Sequence, residues 1–206
     1  MIQNKKDYYF YMEADRIISG RNKKSNKNRL IHFLFPDHIA KFLHLLRTIE
    51  YYKNCRLDFI GKLIGKYYQI KFDQLSIKLG FSIPPNVFGP GLHIPHYGTI
   101  VVNSNTKVGA NCVLHTCVCI AGEGKILGNN VYISTGVIIT GDIKVTNNIT
   151  ISANSLVNKS FENENLLIGG SPARVLKESN AWFHDDVGNY ENRVHEIAKL
   201  KLCIYK

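Results

Sequence analysis

Residues 102–157 read VNSNTKVGANCVLHTCVCIAGEGKILGNNVYISTGVIITGDIKVTNNITISANSLV, and they count in sixes. Aliphatic side chains recur at Val102, Val108, Leu114 and Ile120. After one extra residue the count resumes at Leu127, Ile133, Ile139, Val145, Ile151 and Val157. Four places after most of these comes a second small or apolar residue: Cys112, Val118, Val131, Val137, Ile143, Ile149. A helix would space its apolar residues by three and four, and a half-buried strand would alternate by two. A period of six instead makes one flat face of a triangular coil, so about 18 residues close a turn. Each aliphatic side chain then points inward and stacks on its counterpart in the next coil. The remaining positions supply corners: Gly109, Asn111, Gly128, Asn129, Asn130, Gly136, Gly141, Asn147, Asn148 and Asn154. Gly and Asn tolerate the positive backbone angles of tight corners. The register predicts a mainly β protein built on a left-handed parallel β-helix.

Outward from this stretch the pattern changes. Apolar residues at helical spacing predict helices over about 5–19, 39–52 and 57–79, with Pro36 and Asp37 opening the second. Between the first two, Arg21 to Arg29 reads as a polar, basic loop. Gly80 ends the helical part, and Pro84, Pro85 and Pro90 exclude further helix while the first coil opens. Gly122 to Gly124 mark the disturbed register, and Ser160 to Asn165 a polar turn. A last helix over about 189–204 is expected across an end of the prism. The chain thus divides into a helical region 1–80, a β-helix 81–178 and a C-terminal helical extension 179–206.

With 45% hydrophobic residues the 206-residue chain is too apolar for a disordered one. Its net charge of +10 is uneven. Residues 1–80 hold 16 Lys and Arg against 7 Asp and Glu, whereas 81–206 hold 10 against 9. A basic leading segment suits an acidic partner: an anionic polymer, the inner membrane surface or a membrane-linked glycan on it, or phosphates on a ligand. Nucleic acid is not expected, because no nucleic-acid-binding signature accompanies the charge. No apolar run approaches the ~18 residues of a membrane span. Lys5, Lys6 and Asp7 stand where a secretory signal would be apolar, so the cytoplasm is the expected location. Five cysteines form no CxxC pair; Cys112, Cys117 and Cys119, inside the hexads, read as small buried residues.

One hexad before Val102 the count lands on His96, where an aliphatic residue belongs. An imidazole with a pKa near 6.5 is a natural proton acceptor at neutral pH, and a structural histidine bonded to backbone is the alternative. FGPGLHIPHYGTIVV (88–102), the hexads and the closing GGSPARVL resemble the serine acetyltransferase branch of the hexapeptide-repeat acyltransferases, over roughly 81–178. The resemblance implies a homotrimer with active sites between neighbouring prisms. It also implies direct acetyl transfer from acetyl-CoA to a hydroxyl, with His96 as general base and no metal. A backbone N–H near Ala121 and Gly122 would stabilise the oxyanion. Thr135, Ala153 and Gly170 occupy positions resembling the family's cofactor contacts, and Arg174 and Lys177 would meet the cofactor phosphates. His93, Tyr97 and His115 are candidates for the acceptor site.

The departures from that branch bear on the acceptor. Pro95 stands where serine acetyltransferases carry an aspartate before the histidine, and a second, orienting aspartate falls near Phe81. The loop Ala121 to Leu127 is short and holds Glu123 and Lys125 but no Arg-His pair. Zwitterionic serine needs an anion for its ammonium and a cation for its carboxylate. A sugar hydroxyl needs neither, so the expected acceptor is a carbohydrate, as in capsule or lipopolysaccharide decoration. Serine itself is the alternative, and a non-enzymatic scaffold the further one.

Overall fold

The computed structural model describes residues 1–21, 36–184 and 188–206. All of the expected basic loop beyond Arg21 lies outside them. Among the described residues there are four α-helices: α1 (Lys5–Ile18), α2 (His38–Cys55), α3 (Phe59–Leu79) and α4 (Tyr190–Tyr205). Their starts follow from side-chain capping, which satisfies an otherwise orphaned N–H in the first turn. Asn4 accepts from Asp7 N, Asp37 from Ala40 N and Asp58 from Gly61 N. Gly80 ends α3 in the left-handed region at φ 77°.

From Phe81 the chain winds into a parallel β-helix whose strands are mostly two or three residues long. Three inward columns stack in register. Val102, Ile120, Ile139 and Val157 line one face, and Val108, Leu127 and Val145 the second. Leu114, Ile133, Ile151 and Ile168 line the third. All of these side chains are buried, as the period of six requires. The added residue sits at Gly122–Gly124, whose φ angles are +83° and +75°. Leu166–Gly170 and Ala173–Glu178 close the last coil as an antiparallel hairpin.

Corner chemistry is of two kinds. Asn111, Asn130, Asn148 and Asn165 adopt φ between 57° and 60°. Each of the first three donates from Nδ2 to Oδ1 of the next, at 3.0, 2.8 and 2.9 Å, which makes an amide ladder up one edge. Gly109 and Gly128 have no such φ. They are there for close approach, since a Cβ on Gly109 would lie 2.7 Å from the Gly128 backbone. The cysteines divide as well. Cys112 is buried, Cys119 half-buried on an outer face, and Cys117 exposed at a corner with φ 60°, so burial does not account for all three.

The helices extend the prism's core at its first coil. Phe42 of α2 stacks on Phe72 of α3 and meets Phe81 edge-on, both at 5.0 Å between centroids. α4 packs on α1, with Ile197 among Phe10, Ala14, Ile17 and Ile18. No helix among the described residues is long and apolar enough to cross a membrane.

Candidate active site

The first coil is longer than a repeat. His93 bridges to Val113, twenty residues on, so its neighbour Ile94 fills the inward column under Leu114. Ile94 and Val102 are then eight residues apart rather than six. The surplus forms a corner, Pro95 to Thr99, and His96 lies on it. The hexad count allows His96 an inward or an edge position, and it takes the edge, exposed to solvent with Tyr97 beside it.

Backbone bonds hold this corner on both flanks. Gly98 N donates to Leu79 O at 3.1 Å and Ile100 N to Gly80 O at 3.0 Å, which tie it to the end of α3. On the other side Asp15 Oδ1 accepts from Gly91 N and Leu92 N, both at 2.8 Å. Arg47 is fully buried and donates to Asp15, to Glu50, and to the carbonyls of Phe88 and Gly89. Burial alone would lower the Arg47 pKa; Asp15 and Glu50 overcome it and hold the group charged. Two helices thereby fix the segment that leads to His96.

The corner above His96 repeats in every coil. Register places Thr116, Thr135, Ala153 and Gly170 successively along it, two residues past each of Leu114, Ile133, Ile151 and Ile168. The expected base and three expected cofactor contacts thus share one edge of the prism. Thr135, Ala153 and Gly170 are exposed and small, leaving room for an extended chain along the edge. Arg174 is opposite Gly169 in the closing hairpin and Lys177 opposite Leu167. Both are exposed near the top of that edge.

Ala121 and Gly122 fall on a different corner, one face away from His96 in the same chain. Ala121 N is engaged by Ile139 O at 2.9 Å, so its N–H is committed to the ladder. Gly122 is the open position, where an added Cβ would approach nothing but Lys125 Nζ. Lys125 is buried and donates to Glu123 O at 3.1 Å.

Beside His96 runs a groove of about 470 Å³, lined by Pro95, His115, Tyr132, Lys177, Trp182 and Tyr190 among others. The His115 ring lies 6.2 Å from that of His96, and its Nε2 shares a 2.7 Å hydrogen bond with Tyr132 Oη. Burial, and then His96, hold the His115 pKa below the ordinary imidazole value. His93 forms the inner wall, with Nδ1 3.3 Å from Ser19 Oγ and Nε2 3.2 Å from Tyr190 Oη. Burial, reinforced by Arg21 and Arg193, depresses its pKa to about 4, so it is a neutral clamp between α1 and α4. No group of His, Cys, Asp and Glu suited to a metal occurs among the described residues.

Tyr132, Trp182 and Tyr190 had not been singled out from the sequence. Tyr132 carried a signal, being a large ring at an outward hexad position. Trp182 and Tyr190 reach the groove only through the packing of the C-terminal segment, in which Trp182 Nε1 donates to Asn111 O at 3.2 Å.

Searched against protein-family models, the chain matches none. Among curated proteins it is 27% identical to a serine acetyltransferase of Synechococcus elongatus over 173 residues, 80% of this chain and 66% of that one. With the serine acetyltransferase of Staphylococcus aureus (strain Mu50) it shares 30% identity over 107 residues, 48% of this chain and 50% of that one. The chain is similar to the serine acetyltransferases. It spans about two thirds of the first relative and half of the second. A serine acetyltransferase of Neisseria gonorrhoeae superposes with a TM-score of 0.61 at 21% identity, covering 90% of this chain and 73% of that one. The serine acetyltransferase of Brucella abortus in complex with coenzyme A gives 0.63 at 22%, covering 86% and 70%. This likeness establishes the fold as a left-handed parallel β-helix with N-terminal helices and a C-terminal helix. By name the relatives act on serine, not on the carbohydrate that the sequence departures favour.

Proposed function

We propose that the chain is an acetyl-CoA-dependent O-acetyltransferase with His96 as its general base. The observation that carries this reading is the exposed His96 at the foot of a prism edge that stacks Thr135, Ala153 and Gly170 above it. The pantetheine arm of acetyl-CoA would lie along that edge, with its phosphates toward Arg174 and Lys177. His96 takes the proton of the acceptor hydroxyl while the oxygen attacks the thioester carbonyl. As the tetrahedral intermediate collapses, the C–S bond breaks and the imidazolium returns the proton to the CoA sulfur. Positioned general-base catalysis of this kind contributes roughly 10²- to 10⁴-fold. The oxyanion would be met by Gly122 N–H from a neighbouring copy, since that corner is a face away within one chain. A homotrimer supplies this pairing, and a monomer leaves the site incomplete.

L-Serine is the acceptor that the relatives' names support. A carbohydrate hydroxyl is the second reading, and the groove beside His96 favours it. Tyr132, Trp182 and Tyr190 line it, and no Asp or Glu does so among the described residues. An ammonium there would lack a counter-charge, whereas aromatic faces suit the apolar side of a sugar ring.

The test is release of CoA thiol from acetyl-CoA with L-serine and, separately, with sugars and polysaccharides, using wild type and His96→Ala. Because His96 is exposed, the variant is expected to keep its Tm and lose about 10²- to 10⁴-fold in rate. Turnover on serine alone removes the carbohydrate reading, and turnover on a glycan alone removes serine. Equal rates for the variant would refute the base.

A further inference from the structure

α3 has two apolar faces, and the described residues bury only one of them. Phe72, Leu75 and Leu79 are buried against α2 and the first coil. On the opposite side Ile60, Leu63, Tyr67, Ile70 and Ile77 recur at intervals of three, four, three and seven, one stripe of a helix. They are 57–83% exposed, and Leu57 and Phe59 extend the patch at its start. Over 21 residues the helix is about 31 Å long, from a rise of 1.5 Å per residue. A contiguous apolar strip of that length marks an interaction surface rather than scattered exposure.

Charge identifies the partner. At 100° per residue, Lys66 falls along one border of the stripe and Lys71 and Lys78 along the other, with Lys71 Nζ 5.5 Å from the Tyr67 ring. The acids of the helical part are largely taken by arginines: Glu13 by Arg16, Asp15 and Glu50 by Arg47, Asp37 by Arg21, and Asp58 by Arg56. On α3 itself the one acid is Asp73, which accepts from Gln69. Pairing this stripe with a second copy of itself would set lysine against lysine with almost no carboxylate to offset them. An anionic bilayer presents the complement of both features, acyl chains for the stripe and phosphates for its borders.

The geometry points to the outward face of α3 as a docking surface for anionic membrane, with the helix lying in the plane of the headgroups. The assignment is independent of the acetyl-transfer reading.

Flotation of the full chain with vesicles tests it. Vesicles of phosphatidylcholine and phosphatidylglycerol in equal parts are expected to carry the protein, and pure phosphatidylcholine vesicles to leave it behind. About 1 M salt, where the screening length is about 3 Å, should release most of it. Lys66→Ala/Lys71→Ala should weaken partitioning about thirtyfold, from about 1 kcal/mol per basic residue at an anionic surface. Leu63→Ser/Ile70→Ser should weaken it at least tenfold without lowering the Tm, since both side chains face water. Absence of flotation with the anionic vesicles overturns the proposal. So does a fall in oligomer size for Leu63→Ser/Ile70→Ser without lipid, which would make this face a contact between copies.

Discussion

Replacing Arg47 by Met tests how the helices hold the corner that carries His96. Arg47 is fully buried and donates to Asp15 Oδ2 at 2.7 Å, Glu50 Oε2 at 3.0 Å, Phe88 O at 2.9 Å and Gly89 O at 2.7 Å. Met fills much of the volume but leaves two carboxylates in the interior without their cation. Removing one partner of a buried ion pair costs about 3–5 kcal/mol, because the remaining charge stays desolvated. In a chain of this size each kcal/mol moves the Tm by about 2–4 °C, so Arg47→Met should melt roughly 6–20 °C below wild type. The triple variant Asp15→Asn/Arg47→Met/Glu50→Gln separates charge from shape. Its amide oxygens still accept from Gly91, Leu92 and Asn86, the bonds now made by Asp15 and Glu50. It should therefore recover more than half of the loss. Thermal unfolding followed by circular dichroism reads both. A single variant within about 2 °C of wild type, or a triple variant no better than the single, would refute the reasoning.

Two further outcomes follow from the same structure. His93 has a folded pKa near 4 against about 6.5 unfolded, so the unfolded chain binds more protons between those values. Its contribution, about 3 kcal/mol, is present above pH 6.5 and lost as the pH falls toward 4. Denaturant titrations across that window should show the decline, and His93→Gln should flatten it. Asn130→Ala should cost about 1–2 kcal/mol for its left-handed backbone, in addition to two amide contacts of the ladder. Asn130→Gly removes only the contacts, and the difference in Tm between the two isolates the backbone term.

The regular coils were legible because each inward residue is forced by its neighbours above and below. Leu114 has Ile133 over it and Ile133 has Ile151, so one register error would expose a whole column. The irregular first coil had no such enforcement. Its corner gains two residues where α3 and the Asp15 carboxylate take over the bonding, and a count in sixes does not tell an inward His96 from one on the edge. The resemblance still chose His96, since it rests on the motif around the residue and not on the count. Thr135, Ala153 and Gly170 were found together because register is periodic. Trp182 and Tyr190 were not, because no local pattern says that a C-terminal segment folds back on one face of the prism.

The edge that carries His96 is also a scale of length. Successive coils are about 4.8 Å apart, so the four steps from the His96 level to Gly170 span roughly 19 Å. Faces and corners are alike at each level, and an 18-residue coil inserted or deleted would leave every contact type unchanged. What would change is the distance from His96 to the hairpin, in increments of one strand spacing. Reach along this molecule is therefore graduated: a longer or shorter extended ligand on that edge would call for a different number of turns, not a redesigned pocket.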